Sequence, residues 1–223
     1  MVPNIVVYTA VSRSYDYLKP VPPLWAAEAD FLAFTDTGSR HLGWQVRPLD
    51  VLSSDPCRNA KLPKILPHQY VDNYEFSVWI DGSIAIISEM RLSDLLAVWL
   101  STHDIAVFPH HSRNCIYDEA IACIKQKKDS PLVIRRQMDH YLHAGYGRHK
   151  GLAECTVIAR RRSPAMRLLS VAWHHEIDRF SRRDQLSFNV VCEWNGISYY
   201  KIPGSVSHNA HFVRYPHTPG AIG

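Results

Sequence analysis

The stretch Tyr74-Glu-Phe-Ser-Val-Trp-Ile-Asp81-Gly82-Ser83-Ile-Ala-Ile-Ile87 decides the reading of the fold. An apolar run of strand character stops at an acid, a glycine follows, and a second apolar run begins. Gly82 lets the backbone turn with no Cβ in the way. In α/β sheets ligands bind outside the carboxyl ends of the strands, so a carboxylate at this point is placed to handle one. An aspartate that merely closes a β-turn has the same local sequence. The rest of the chain separates the two.

Upstream, Asn4 to Val11 is β-branched and aromatic without alternation, the pattern of a parallel strand buried on both faces. Asp30 to Asp36 is a second apolar run ending in an acid, with Gly38 and Ser39 turning the chain, and Trp44 to Pro48 is a weaker third. Downstream, Leu92, Leu95, Leu96 and Trp99 recur at helical spacing behind Ser93, read as the cap. Asp104 to Pro109 and Gly151 to Ala159 are further strands. Helices are expected from Arg113 to Lys128 behind a Ser112 cap and from Val133 to Ala144, with Ile134, Met138, Tyr141 and Leu142 buried. Another runs from Ser163-Pro164 to about Phe180, and a last one opens at Asp184. The alternation predicts an α/β fold, a mostly parallel mixed sheet with helices on both faces. One domain over residues 1–203 is expected, followed by a Gly-, Pro- and His-rich stretch, 204–223, too polar for core and read as a tail or lid.

Composition narrows the class. At 223 residues, 46% hydrophobic and 21% charged, the chain supports one well-buried globular domain. A net charge of +4 suits a phosphate-bearing ligand better than a nucleic-acid duplex. The cysteines (Cys57, Cys115, Cys123, Cys155, Cys192) are odd in number with no CxxC pair, which points to reduced thiols and a cytosolic setting. No apolar run approaches membrane-spanning length, so any membrane contact is expected to be peripheral. There is no P-loop, no GxGxxG and no GxSxG elbow, which removes the commonest nucleotide-binding and hydrolase readings.

Several candidate site residues sit at predicted strand ends: Thr9, Asp36, Asp81 and His110, with His111 and Arg113 just beyond the last. Capping of the next element is the plain alternative for Thr9, Asp36 and Asp184. Arg58, Lys61 and Lys64 fall at helical spacing on one face, suited to phosphates or to Asp81.

The ordered set Tyr8-Thr9-Ala10, Tyr15-Asp16, Phe34-Thr35-Asp36, Pro63 to His68, Trp79-Ile80-Asp81-Gly82, Arg113 to Glu119, Gly151-Leu152 and Arg183 to Phe188 resembles a glycosyltransferase-like domain family once catalogued as a domain of unknown function. The resemblance spans roughly residues 5–192. It implies a GT-A fold and transfer of a sugar from a nucleotide sugar, such as a UDP-sugar, to a glycan or other hydroxyl acceptor. It further implies Tyr8, Thr9 and Ala10 at the nucleotide, Asp36 at the base or ribose, and Arg58, Lys61 and Lys64 facing the diphosphate. Asp81-Gly82-Ser83 takes the place of the metal-binding Asp-x-Asp motif for Mn2+ or Mg2+, departing from it at Ser83. A C-terminal histidine, His208 before His211, would complete the metal shell. Asp184 and Gln185 are similar to the Asp-Gln-Asp region of family 8 retaining glycosyltransferases, and His110, His111, Arg113 and Glu119 fall to the sugar and acceptor. Two other classes fit the same residues: a metal-dependent hydrolase of a lipid or glycan, and a non-catalytic nucleotide- or sugar-binding module that the missing second carboxylate would explain.

Overall fold

The computed structural model describes residues 4–37 and 42–217; the turn read at Gly38 and Ser39 and the end of the tail, 218–223, lie outside them. Along the chain, β1 (Ile5–Val11) leads through α1 (Pro23–Ala26) to β2 (Asp30–Thr35) and β3 (Gln45–Pro48). Next come α2 (Pro56–Ile65), α3 (Pro67–Tyr70), β4 (Phe76–Ile80) and, directly after it, β5 (Ile84–Ile86). α4 (Leu92–Trp99), β6 (Ile105–Pro109), α5 (Ile116–Lys125) and α6 (Pro131–His143) follow. The last elements are β7 (Ala153–Arg161), α7 (Pro164–Arg179), α8 (Gln185–Trp194), β8 (Tyr200–Lys201) and β9 (Phe212–Arg214).

The main sheet has the order β3-β2-β1-β4-β7-β6-β8. β1 to β4 and the β6–β8 pair are parallel, and β7 runs against both of its neighbours. The expected mostly parallel mixed sheet is therefore present, and helices cover both faces. On one face Val7 and Val11 of β1 pack with the α4 stripe Leu92, Leu95, Leu96 and Trp99. On the other, Val6, Tyr8 and Ala10 pack with Met166, Leu169, Trp173 and Ile177 of α7. Burying each such large side chain contributes about 1.5–3 kcal/mol before entropy is counted. A third cluster joins α5, α6 and α8 through Ile116, Ile134, Tyr141 and Leu186.

Local signals hold in part. Ser163 caps α7, its Oγ accepting from Met166 N at 3.3 Å. Ser93 does not cap α4: Arg91 holds that position, and the Glu28 carboxylate accepts from Ser93 N at 3.1 Å and Ser93 Oγ at 3.0 Å. α5 starts behind Cys115, later than a Ser112 cap would have it. Leu142, expected inside, is 59% exposed, because the buried stripe of α6 turns past it through Ile134, Met138 and Tyr141.

The stretch after residue 203 corrects the expectation of a polar tail. β9 pairs antiparallel with β5, Ile84 opposite Arg214 and Ile86 opposite Phe212. Val206 and Phe212 are buried in the core, with Phe212 edge-on to Trp25 at 5.9 Å. Gly204, at φ +87°, makes the turn into this stretch; a Cβ there would lie 2.3 Å from the His208 carbonyl oxygen. Residues 204–217 form a wall of the domain beside the end of β4. Among the described residues no helix is long and apolar enough to cross a membrane.

Candidate active site

The floor of the site is a chain of alternating charges between α2 and the strand ends. Lys64 Nζ lies 3.1 Å from Asp81 Oδ1 and 2.5 Å from Asp184 Oδ2, and Lys61 Nζ lies 2.5 Å from Asp184 Oδ1. The Lys64–Asp184 approach is a close charge contact rather than an aligned hydrogen bond. Trp79 Nε1 also donates to Asp81 Oδ1, at 2.7 Å. Lys64 and Asp184 side chains are each 4% exposed, whereas Asp81 is 33% exposed and opens to the crevice. Burial alone would raise the Asp184 carboxyl; Lys61, Lys64 and Arg183 outweigh it and hold the group well below the carboxylate range. Burial would likewise lower the Lys64 ammonium, but Asp184 and Asp81 hold it above the lysine range.

Asp184 heads α8, yet its side chain caps nothing and turns to the lysines instead. A carboxyl so held stays ionised near neutral pH and is a weak proton acceptor, suited to balancing the two lysines. Gln185 accepts from Arg183 Nη2 at 3.0 Å and steadies that guanidinium. Arg58 is spent elsewhere: its guanidinium donates to the carbonyls of Ile177 and, at 2.8 Å, Phe180, closing the carboxyl end of α7. Its donors are thereby taken up at α7, although its spacing with Lys61 and Lys64 had it facing a diphosphate. Arg58→Ala should therefore lower stability by about 1–3 kcal/mol and leave nucleotide affinity unchanged. Paired thermal-melt and nucleotide titrations check this; a loss of affinity at unchanged stability would return Arg58 to the site.

Beside Asp81, the backbone passes so close to the β1 loop that a Cβ on Gly82 would sit 3.0 Å from Asp16 Cβ and from Val11 Cγ2. Asp16 is held from the other side by His217 Nδ1, 2.9 Å from its Oδ1. Tyr15 packs on the His217 ring at 4.6 Å. Burial raises the Asp16 carboxyl, and Asp81 nearby adds to it while His217 opposes it. Ser83 departs from the expected metal set: it is 2% exposed, and its carbonyl accepts from Tyr215 N at 2.8 Å. His208 is exposed and makes a backbone bridge to Ser205, and His211 bonds Ser88 Oγ at 3.0 Å. Asp81, with Asp16 beside Gly82 and His217 on Asp16, supplies the carboxylates and imidazole near the Asp-x-Asp position. Two oxygens and one nitrogen are a fitting donor set for Mn2+ or Mg2+. Their ligand atoms do not converge as closely as those of Cys115 before α5, Asp118 on it and His149 ahead of β7, which lie within 4.8 Å of one another.

A second part of the crevice is built on the β1 and β2 ends. Asp36 accepts from Ser12 Oγ at 2.5 Å and Arg13 N at 2.8 Å, pinning the loop after β1. A shallow hollow of about 530 Å³ lies beside it, lined by Thr35, Asp36, Thr37, Arg47 and Leu49. Tyr8 is not on this surface: it is fully buried against Trp79, its hydroxyl accepting from Arg160 at 3.0 Å. Thr9 and Ala10 are buried too, though Thr9 Oγ1 has no partner. Another hollow, of about 410 Å³ with Ser77, Arg160 and Arg167 in its wall, lies at the opposite end of the strands from Asp81.

The far wall comes from β6, α5 and β7. His110 Nδ1 accepts from the backbone N–H of Ser112 and Arg113, each at 3.2 Å, and burial lowers its pKa to about 4. The ring is therefore uncharged near neutral pH, and its 3.7 Å approach to Glu119 is no ion pair. Arg113 pairs Glu119 instead, at 2.6 Å, while exposed His111 stacks on His110 at 4.7 Å. Asp16, His217 and Glu154 were not singled out from sequence. Asp16 lay inside the resemblance motif Tyr15-Asp16, but the position of His217 depends on the β5–β9 pairing, which carries no local signal.

Comparison with known proteins places this geometry. The description "TOD1/MUCI70, glycosyltransferase-like domain" matches residues 39–198. The chain is 30% identical over 164 residues, 69% of its length and 28% of the relative's, to an Arabidopsis thaliana protein described as probable hexosyltransferase MUCI70. It is 27% identical over 146 residues, 61% of its length and 32% of the relative's, to one described as alkaline ceramidase TOD1 from the same plant. The chain thus spans about a third of the length of these curated relatives. In fold it is similar to the apo structure of the bifunctional glycosyltransferase WbbM, with a TM-score of 0.51 over 91% of this chain and 38% of that one, at 11% identity. With most of its length under one family description, a mixed sheet of glycosyltransferase kind and Asp81 at the strand end, the chain belongs to the TOD1/MUCI70 glycosyltransferase-like domain family.

Proposed function

We propose that this domain transfers a hexosyl group from a nucleotide sugar, a UDP-sugar, to a hydroxyl acceptor, with Mn2+ or Mg2+ held at Asp81. The observation that carries the reading is Asp81 at the carboxyl end of β4, with Asp16 and His217 beside the bare Gly82 backbone. In transfer, the bond from the sugar's anomeric carbon to the phosphate oxygen breaks with its electron pair leaving on phosphate. The acceptor oxygen forms the new bond, and its proton passes to water or to the departing diphosphate oxygen. A bound cation would supply Lewis-acid stabilisation of the departing diphosphate. Asp81, Asp16 and His217 would hold it. Lys61 and Lys64 face Asp184 and Asp81, so these four side chains carry no net charge and offer little to a diphosphate alone. Nucleotide binding should therefore depend strongly on the cation. Asp36 and the hollow beside it suit the base and ribose, and His110, His111, Arg113 and Glu119 wall the sugar and acceptor side.

Likeness to a protein described as an alkaline ceramidase favours a second reading, hydrolysis of an amide lipid in the same crevice. Product formed without any nucleotide sugar would select it.

The test uses Asp81→Asn. With UDP and Mn2+ together at about a hundred times the dissociation constant, the wild-type domain should gain roughly 5–10 °C in thermal midpoint. UDP or Mn2+ alone should give little. The variant should remain folded and lose the joint shift. A joint shift that survives in Asp81→Asn takes Asp81 out of the site, and no shift with any UDP-sugar in the wild type ends the nucleotide-sugar reading.

A further inference from the structure

Glu154 opens β7 where the β6–β7 register slips between Val107 and Phe108, and its side chain is only 6% exposed. Its Oε1 lies 3.7 Å from Arg214 Nη1, a loose pairing, and its Oε2 is buried with no hydrogen-bond partner. A buried carboxylate oxygen left unpaired is costly, and such groups persist where a ligand satisfies them. Backbone bonds on either side of it place Glu154 beside the crevice: Asp81 N donates to the carbonyl of Thr156, two residues further along β7, and His110 N to the carbonyl of Leu152, two residues before it, while Arg214 pairs opposite Ile84 just past Asp81. Burial raises its carboxyl, Arg214 and His111 oppose the rise, and Asp81 and Glu119 add to it. It therefore stands between the cation side of the crevice and the His110–His111 wall. The two side chains that oppose the rise, His111 and Arg214, are both exposed.

We propose that Glu154 receives hydroxyl groups of the transferred sugar, with Oε2 as the acceptor atom and a hexosyl ring beside Asp81 as the ligand. This rests on the nucleotide-sugar reading above. The chemistry is specific: an acceptor-only oxygen in a dry setting selects a donor, and a sugar hydroxyl is the donor a hexosyl ring presents. The ribose hydroxyls and base N–H of UDP fall to the Asp36 side in that reading, so the hexosyl hydroxyls are the donors left to reach Glu154. Glu154 should thus discriminate UDP-hexoses from UDP.

The experiment titrates wild type and Glu154→Gln with UDP, UDP-glucose and UDP-galactose, all with Mn2+, and records the thermal midpoint of each unliganded protein. For at least one UDP-hexose, affinity should fall at least about tenfold in the variant, as loss of a charge-assisted hydrogen bond does. UDP affinity should be unchanged. The unliganded midpoint should equal or exceed the wild type's, because the substitution relieves an unpaired buried charge. Equal losses for UDP and UDP-hexoses, or none for any of them, overturn the assignment. A lowered unliganded midpoint with unchanged UDP-hexose affinity makes Glu154 a structural partner of Arg214 and also overturns it. If the wild type binds neither UDP nor any UDP-hexose with Mn2+, the nucleotide-sugar reading itself fails, and the Glu154 assignment falls with it.

Discussion

Lys64→Met should destabilise the domain by about 3–5 kcal/mol, roughly 10 °C in thermal midpoint for a chain of this size. The apolar stem is nearly conserved, so the loss comes from charge. Lys64 stands between Asp184 at 2.5 Å and Asp81 at 3.1 Å, and its removal leaves Asp184 buried with Lys61 as its remaining close ammonium. Replacing all the partners by apolar residues would cost far less than removing one, because the penalty is that of the stranded charge. The pH dependence gives an independent check. Asp184 is depressed below its ordinary 3.8, so its contribution is full above about pH 4 and fades as the pH falls toward its folded-state value. Lys64 is raised above its ordinary 10.5, so its contribution is full below about pH 10 and fades in stronger alkali. Between pH 5 and pH 2 the wild type should therefore lose more stability than Lys64→Met, in which the Asp184 carboxyl is less depressed. A variant within 1 kcal/mol of wild type and with the same acid limb would show the charge chain to be inert.

That chain also marks where sequence reading stopped. The helical spacing of Lys61 and Lys64 and the strand-end position of Asp81 were legible, because periodicity and punctuation are local. So were the α4 stripe and the Ser163–Pro164 start of α7. That Asp184 would meet both lysines across 120 and 123 residues was not, since nothing local distinguishes a helix-opening aspartate that caps from one that turns away. The same limit explains Arg58, whose spacing matches the two lysines while its guanidinium closes α7. Tyr8 was placed at a ligand by its motif, but the alternation of β1 sends it to the α7 face with Val6 and Ala10. β5 is three residues of Ile and Ala whose strand partner among the described residues, β9, lies more than 120 residues away, so its existence is a tertiary fact. The histidine that reaches Asp16 follows from that pairing: β9 ends at Arg214, and His217, three residues on, meets Asp16.

Phe212→Ala should cost about 3–5 kcal/mol in the unliganded protein, the range for emptying a buried aromatic site. Phe212 is 2% exposed and packs against Trp25, Trp99 and Phe108, so its removal opens a cavity between β9 and the α4 face. A lid that orders only on ligand binding would behave in the opposite way, leaving unliganded stability untouched and altering affinity alone. The consequences reach the site because β9 carries two links to it. Tyr215 N donates to the Ser83 carbonyl at 2.8 Å, and His217 holds Asp16. Loosening β9 should therefore weaken Mn2+-dependent UDP binding as well, and by more than the same substitution at exposed His208, which should change neither quantity. Proteolysis of unliganded wild type should be slow within 204–217 and fast in Phe212→Ala. Rapid cleavage of the unliganded wild type in that stretch, with protection appearing only on addition of UDP and Mn2+, would restore the lid. It would also detach His217 from the resting site, leaving Asp81 and Asp16 to bind the cation first and recruit the histidine afterwards.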